Sequence, residues 1–145
     1  MTSPSRDLLT LLRNLEPELR PGVVAFCPVP RDVDPTTTPW IALIEEEEGL
    51  TAVVPEETAA ARGWAVSFRA RLITLRVYSD LESIGLTAAV AQALATAGIS
   101  CNVIAAVRHD HIFVPVDRDD DAMAVLRALS ASQHSMPSES LKPRA

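Results

Sequence analysis

Residues 68–78 contain the feature that most constrains the fold of this chain. Ile73, Leu75 and Val77 are separated by single polar residues, and a period of two is the pattern of a β-strand that buries one face. β-branched and aliphatic side chains also favour strands. We therefore expect a central strand across this segment, with these three side chains covered by helices.

The segments on either side of this strand follow related orders of elements. After it, helical spacing predicts a helix at 87–97, then strands at 101–107 and 111–116 and a last helix capped by Asp117. Before it, the sequence predicts a first helix capped by Ser5, strands at 23–29, 40–44 and 50–54, and a short helix from Pro55 to Gly63.

These orders define the predicted fold class, which is α+β. Both halves are fragments of the β-α-β-β-α-β pattern, the ferredoxin-like unit. The first half (residues 1–68) lacks the opening strand, and the second half (residues 69–130) lacks the closing one. Because an unpaired strand edge would stay exposed in either half alone, we expect two incomplete tandem modules that share strands in one core. Residues 131–145 are rich in Ser, Pro and charge, which predicts a disordered tail.

The charge balance excludes several classes of partner. The chain has 13 basic and 19 acidic residues and a net charge of −6, whereas a nucleic-acid-binding protein needs a basic face. The same balance argues against a polybasic membrane anchor, and no apolar run approaches the roughly 20 residues of a membrane span. Cys27 and Cys101 form no C-x-x-C pair. We therefore expect free thiols, no cofactor and a cytoplasmic location.

Parts of the second half resemble the ACT domain family. Gly85–Val90 and Leu94–Ser100 are similar to the opening loop, first helix and turn of that family. The resemblance implies a ferredoxin-like regulatory module that binds an amino acid or a similar small ligand, usually between paired domains. Over residues 8–130 the chain is more similar to small bacterial proteins of uncharacterised function that carry two tandem ACT-like modules. The segments that carry this second resemblance are Leu15–Leu19, Glu48–Thr51, Gly85–Ala88 and, most distinctively, His109–Pro115.

The glycine loop departs from the family pattern. ACT domains often have an acidic residue about three positions before the loop glycine, and a proline directly before it. Here Asp80 is five positions before Gly85, and Ile84 precedes the glycine. The loop is therefore expected to be longer or differently shaped. The first half has no counterpart of the loop, so we expect no second site there.

The loop offers a physical mechanism for binding a carboxylate. Gly85 lets the backbone approach a ligand closely, and the NH groups of Leu86, Thr87 and Ala88 would lie at a helix N-terminus, where anions are favoured. Asn102 offers a donor and an acceptor that could orient the ligand. Structural alternatives are that Gly85 makes only a turn, that Thr87 caps the helix and that Asn102 satisfies a strand end.

The histidines and the acidic run contain residue types that can bind metal ions. His109 and His111 would face the same way on a strand and are candidates for the rim of a ligand pocket. Zinc, however, needs three or four ligands, and no second cluster is near in the sequence. The run Glu45–Glu48 would splay its carboxylates to both faces, whereas calcium needs converging oxygens. We therefore predict no metal site.

Two functional hypotheses follow from the sequence. No nucleophile-base motif, P-loop or metalloprotease motif is present, so we expect no enzymatic activity. One hypothesis is a sensor that binds an amino acid or a small carboxylate and changes its association with a partner. The alternative is a ligand-free dimerisation or protein-interaction module. A homodimer is expected under both hypotheses, because Leu72, Ile104 and Phe113 would form an apolar outer face that needs a cover.

Overall fold

The computed structural model describes residues 3–134, which form one sheet and four α-helices. The helices are α1 (Leu8–Arg13), α2 (Glu56–Arg62), α3 (Leu86–Thr96) and α4 (Asp119–His134), with 3-10 turns at Pro35–Thr37 and Val116–Arg118. The strands are β1 (Pro17–Leu19), β2 (Val24–Val29), β3 (Ala42–Glu45), β4 (Leu50–Pro55), β5 (Phe68–Leu75), β6 (Asn102–Ala105) and β7 (Asp110–Pro115).

Strand β5 is the central strand that the sequence predicts. The strand order is β3-β4-β2-β5-β7-β6, and β1 also pairs with β5. Ile73 and Leu75 are at most 1% exposed. Val77 is also buried, although the strand ends at Leu75 and not at Tyr78. The long alternating pattern thus gave the position of the strand and the buried side chains correctly.

Two incomplete ferredoxin-like modules share β5, as expected. Its first residues, 68–70, pair with β2 and close the first module, while residues 70–75 pair with β7 in the second module. The closing strand of the second module is β1, whose residues 17–19 pair with residues 73–75. Strand β1 is not among the strands predicted from the sequence. Its short length gives no period-two pattern to detect.

The first module does not lack the opening strand, contrary to the prediction. Its opening strand is present as β2, and the element it lacks is the first helix of the ferredoxin-like unit. Residues 30–41 connect β2 to β3 with only a 3-10 turn. Pro30, Pro35 and Pro39 explain this, because proline in a helix interior removes a hydrogen bond and clashes with the preceding turn.

All four helices lie on one face of the sheet, which we call the covered face. Helices α1, α3 and α4 pack over β5 and β7 around one cluster of apolar side chains, and α2 packs over β2 and β4 around another. The opposite face, here called the open face, carries a third cluster that includes Phe26, Leu72 and Phe113. Within residues 3–134 no helix covers the open face, and no helix is long and apolar enough to cross a membrane.

Three predicted helix boundaries need correction. Asp7, not Ser5, caps α1: its carboxylate accepts a 2.9 Å hydrogen bond from the Thr10 NH. Asp117 lies inside the 3-10 turn that precedes α4 and does not cap that helix. Helix α4 continues to His134, so residues 131–134 are helical and not part of a disordered tail.

Contacts with α1 hold this last turn of α4. The Arg13 Nε donates to the Gln133 carbonyl at 2.9 Å, and the Ser130 hydroxyl donates to the Arg13 carbonyl at 3.0 Å. No local sequence pattern indicates these contacts, because they join residues that are far apart in the sequence. Residues 135–145 of the predicted tail lie outside the described residues.

Candidate functional site

The N-terminus of α3 has no side-chain cap. Gly85 precedes the helix with a φ of 99°, and no side chain accepts a hydrogen bond from the first turn. The first hydrogen bond across this turn runs from the Ala89 NH to the Gly85 carbonyl at 2.9 Å. The NH groups of Leu86, Thr87 and Ala88 therefore have no acceptor among the described residues. Together with the helix dipole they can bind an anion.

Gly85 is required by its backbone conformation and by its neighbour. A positive φ favours glycine over any residue with a Cβ, and a Cβ built at this position would lie 3.0 Å from the Cδ2 of Leu8. The group that approaches Gly85 closely is therefore the Leu8 side chain of α1. The expected turn is present, but the space directly above Gly85 is occupied by Leu8.

Asp80 shapes the loop before α3. Its Oδ1 accepts a 2.8 Å hydrogen bond from the Glu82 NH, and its Oδ2 pairs with the Arg6 Nε at 3.0 Å. Both contacts, the backbone hydrogen bond foremost, hold the pKa of Asp80 below its usual value. Arg6 also pairs with Glu82. The acidic residue at the unusual spacing is thus a structural anchor that ties the loop to the segment before α1.

Asn102 does not meet the α3 loop, contrary to the sequence prediction. It pairs with Phe113 in β7, and Phe113 pairs with Leu72 in β5. Residues opposite each other in paired strands share a face, so Asn102 is on the open face, whereas α3 lies on the covered face. The sequence could not reveal this, because a shift of one residue in register moves every side chain of a strand to the other face.

The two histidines occupy different settings. His111 lies on the open face, where its Nδ1 is 3.2 Å from the Thr74 hydroxyl. Burial, followed by the nearby His109, lowers the pKa of His111. His109 precedes β7 in the hairpin, where its carbonyl accepts from the Ala106 NH at 3.1 Å. The His109 Nδ1 is buried without a hydrogen-bond partner among the described residues. His111 therefore does not border the α3 loop.

The residue between the histidines points the other way. Asp110 pairs with Leu75, which belongs to the covered face, and is itself buried. Burial raises the pKa of Asp110, and its Oδ2 accepts a long, 3.5 Å hydrogen bond from the Ser79 hydroxyl. Asp110 and the histidines thus do not converge on one point. In residues 3–134 no group of three or more His, Cys, Asp and Glu side chains could hold a metal ion.

The acidic run forms an exposed turn, and the Arg31 side chain binds to it. The Arg31 Nη1 pairs with Glu45 at 2.9 Å, and its Nη2 donates to the carbonyls of Glu46 and Glu47 at 2.9 and 3.0 Å. All four glutamates are exposed. The turn is therefore organised by a cation supplied by the chain itself.

Sequence analysis missed a pocket on the open face. Phe26, Thr51, Ser67 and Phe68 line it together with Asn102. Of these residues, only Asn102 was singled out, for its amide group. No local pattern could have identified the others, since they come together only through the pairing and twist of the sheet.

Comparisons with known proteins give the family context. Residues 3–71 and residues 67–128 each match a family described as ACT domain, and the two matches overlap within β5 and its preceding residue. A search of curated protein sequences finds no match to this chain.

Several solved structures are similar to this one, and three of them are described here. A protein of unknown function from Vibrio cholerae, described as a possible transport protein, has 43% identity and a TM-score of 0.77, covering 85% of this chain and 95% of its own. An Agobacterium tumefaciens protein has 13% identity and a TM-score of 0.66, with coverages of 79% and 87%. The regulatory subunit of aspartate kinase from Thermus flavus has 10% identity and a TM-score of 0.53, with coverages of 78% and 95%. The last two similarities concern the fold alone.

Proposed function

Because the chain belongs to the ACT domain family, with two tandem matches, we propose that it is a non-catalytic regulatory protein that binds a small molecule. The ligand is an α-amino acid or a related small carboxylate. The observation that carries this proposal is the uncapped N-terminus of α3, where the NH groups of Leu86, Thr87 and Ala88 are free to bind an anion.

The proposed binding mode uses the α3 loop. The ligand carboxylate accepts hydrogen bonds from the free NH groups, which are strong because the acceptor is charged. An α-ammonium group is held by Asp80 and Glu82, the carboxylates that pair with Arg6 in the absence of ligand. Asn102 and His111 are not part of this site, because both lie on the open face.

Ligand binding at the α3 loop would also affect helix α1. Gly85 contacts Leu8 of α1, and α1 packs against α4 as well as α3. A ligand that orders the start of α3 therefore also stabilises the position of α1. We propose that this change alters how the protein associates with a partner.

We further propose a cytoplasmic homodimer. The predicted reason for dimerisation was an exposed apolar face that includes Leu72 and Phe113. Within one chain, however, Phe113 is fully buried and Leu72 is 9% exposed, so these two side chains do not need a partner to cover them. Phe26 packs on Phe113 and Phe68, with ring centroids 5.0 and 5.6 Å apart, and so helps to cover the open face. Both cysteines are free thiols, as is usual in a reducing compartment.

The alternative, a ligand-free dimerisation module, is favoured by one specific observation. Among the described strands, edge strand β3 pairs only with β4, and Leu43 and Ile44 on it are 39% and 42% exposed. Apolar edge strands pair readily with another chain. Because a dimer is also compatible with the sensor, only ligand-dependent stabilisation separates the two hypotheses.

The test is a thermal-shift screen of the twenty amino acids and common carboxylate metabolites at millimolar concentration. A ligand at 100 times its Kd adds about 2.7 kcal/mol of stability, which shifts the Tm of a chain this size by roughly a few degrees. If no compound shifts the wild-type protein, the ligand-free module becomes the better account.

Two variants of Thr87 locate the site. Thr87 is exposed in the first turn of α3, so neither Thr87→Glu nor Thr87→Gln should disturb the core. The glutamate places a carboxylate beside the free NH groups and repels an anionic ligand, while the glutamine has the same shape without the charge. We expect Thr87→Glu to abolish the shift and Thr87→Gln to retain most of it. An unchanged shift in Thr87→Glu would place the site elsewhere.

A further inference from the structure

The pocket on the open face lies at the junction of the two modules. Its volume is about 350 Å³. Phe26 of β2 and Thr51 of β4 come from the first module, Asn102 opens β6 in the second, and Ser67 and Phe68 lie at the start of the shared strand. Strands β4, β2 and β5 are neighbours in the sheet, whereas β6, which supplies Asn102, is separated from β5 by β7.

Aromatic rings form one wall of the pocket, and they are held in place. The Phe26 ring packs edge-on against Phe113 at 88°, with centroids 5.0 Å apart, and lies 5.6 Å from the Phe68 ring. Phe113 is fully buried beneath them. Phe26 and Phe68 are only partly buried, so they present a fixed apolar surface on which a flat ring can stack.

The polar groups of the pocket are uncharged, and two of them have no partner. Neither the Asn102 amide nor the Ser67 hydroxyl makes a hydrogen bond to another described side chain or backbone group, whereas the Thr51 hydroxyl donates to Glu46. None of the described residues that line the pocket is charged. An anionic ligand would therefore gain no ion-pair partner from the lining.

We propose that this pocket binds an uncharged, flat aromatic ring that carries an amide or a similar group with one donor and one acceptor. The ring stacks on Phe26 and Phe68, and the amide exchanges hydrogen bonds with Asn102 and Ser67. This ligand differs in class from the anionic ligand proposed for the α3 loop. The two sites are on opposite faces of the sheet, and this inference does not depend on the proposed function.

The test uses benzamide as the probe and NMR of the ¹⁵N-labelled full chain. Benzamide should shift the backbone amide signals of Ser67, Phe68 and Asn102 with a Kd of about 1 mM, the range expected for so small a ligand. Benzoate has the same shape and a negative charge, and cyclohexanecarboxamide has the same amide without a flat ring. Both should bind at least about tenfold more weakly.

Matched variants distinguish this site from the α3 loop. Asn102→Leu and Ser67→Ala change exposed side chains and should each weaken benzamide binding by about fivefold, the effect of one lost hydrogen bond. Thr87→Glu should leave benzamide binding unchanged. The proposal is overturned if benzamide shifts no signals at the pocket, if benzoate binds equally well, or if neither Asn102→Leu nor Ser67→Ala weakens binding.

Discussion

The two modules share a strand but cover it with different amounts of structure. In the second module α1, α3 and α4 pack on the sheet around large aliphatic side chains, among them Leu94 of α3 and Leu126 of α4. The first module has only α2 and the loop after β2 over a cluster that includes Ala25, Ala52 and Ala59. Large buried side chains each contribute roughly 1.5–3 kcal/mol, and alanines contribute much less. The first module therefore depends more heavily on the shared strand.

The second module also depends on the first half of the sequence. Helix α1 and strand β1 precede the first module in sequence, yet both belong to the second module in space. Strand β1 pairs with β5, and Leu11 and Leu15 complete the core under α3 and α4. The chain thus crosses from the second module to the first and back through β5. We therefore predict that neither half of the sequence folds alone.

The largest expected effect comes from removing the first half. A fragment that begins at Arg69 loses α1, β1 and β2, so its β5 has no partner on one side and its core loses Leu11 and Leu15. We expect no cooperative thermal transition by circular dichroism. Adding a separate peptide of residues 1–68 should restore one. A sharp melt of the fragment alone, as a soluble monomer, would show that the second half does not depend on the first half for folding.

The long and regular elements were predictable from the sequence. Strand β5, helix α3 and strand β7 each carry a pattern several residues long, and most of their large apolar residues are buried. Gly85 was also identified correctly as a turn residue, because its positive φ is a local property. Elements whose stability is local, or whose pattern is long, can be found without the fold.

Elements that depend on distant partners were not predictable. Strand β1 is three residues long and exists because β5 offers a free edge. The last turn of α4 is held by Arg13, and the face of Asn102 depends on its register with Phe113. The residues predicted to form one binding site lie on two faces of the sheet for the same reason. The α3 loop is a local feature, whereas the partner expected for it belongs to the other face.

A smaller effect is expected from Arg69 and Arg71, which lie on β5 between the two apolar clusters of the covered face. Arg69 and Arg71 alternate with open-face residues on β5, and each pairs with a helix of its own module. The Arg71–Asp119 pair is 2.7 Å long, with side chains 22% and 17% exposed, whereas the Arg69–Glu56 side chains are 54% and 37% exposed. Removing one partner of a mostly buried charged hydrogen bond costs about 2 kcal/mol.

Arg71→Met should therefore lower the free energy of unfolding by about that amount, 2 kcal/mol. Arg69→Met is the matched control and should change it little, because exposed ion pairs are screened by water. Urea denaturation of both variants measures the difference. Equal losses in the two variants would show that the modules are anchored to β5 with similar strength.

The smallest expected effect is a dependence on pH centred in the second module. Burial lowers the pKa of His111, so the unfolded chain takes up more protons than the folded chain as the pH falls through the ordinary value of 6.5. Stability should therefore decrease as the pH falls from 7 through 6.5 and level off below the folded pKa of His111. Asp110, whose pKa is raised by burial, acts in the opposite direction at lower pH.

The measurement is the Tm at several pH values across this range. His111→Asn keeps a polar group beside Thr74 and should flatten the profile. The same substitution at His134, an exposed residue at the end of α4, controls for the loss of an imidazole elsewhere. A profile that stays as steep in His111→Asn as in the wild-type protein would contradict this assignment.

The most direct test of the shared core is urea unfolding followed with two probes. Trp40 and Trp64 are the only tryptophans and pack against the core of the first module, while the long helices α3 and α4 belong to the second. Tryptophan fluorescence and helical circular dichroism therefore report on different modules. If the modules share one core through β5, the two curves superimpose with one midpoint and one slope. A fluorescence transition at clearly lower urea than the loss of helix would contradict the account.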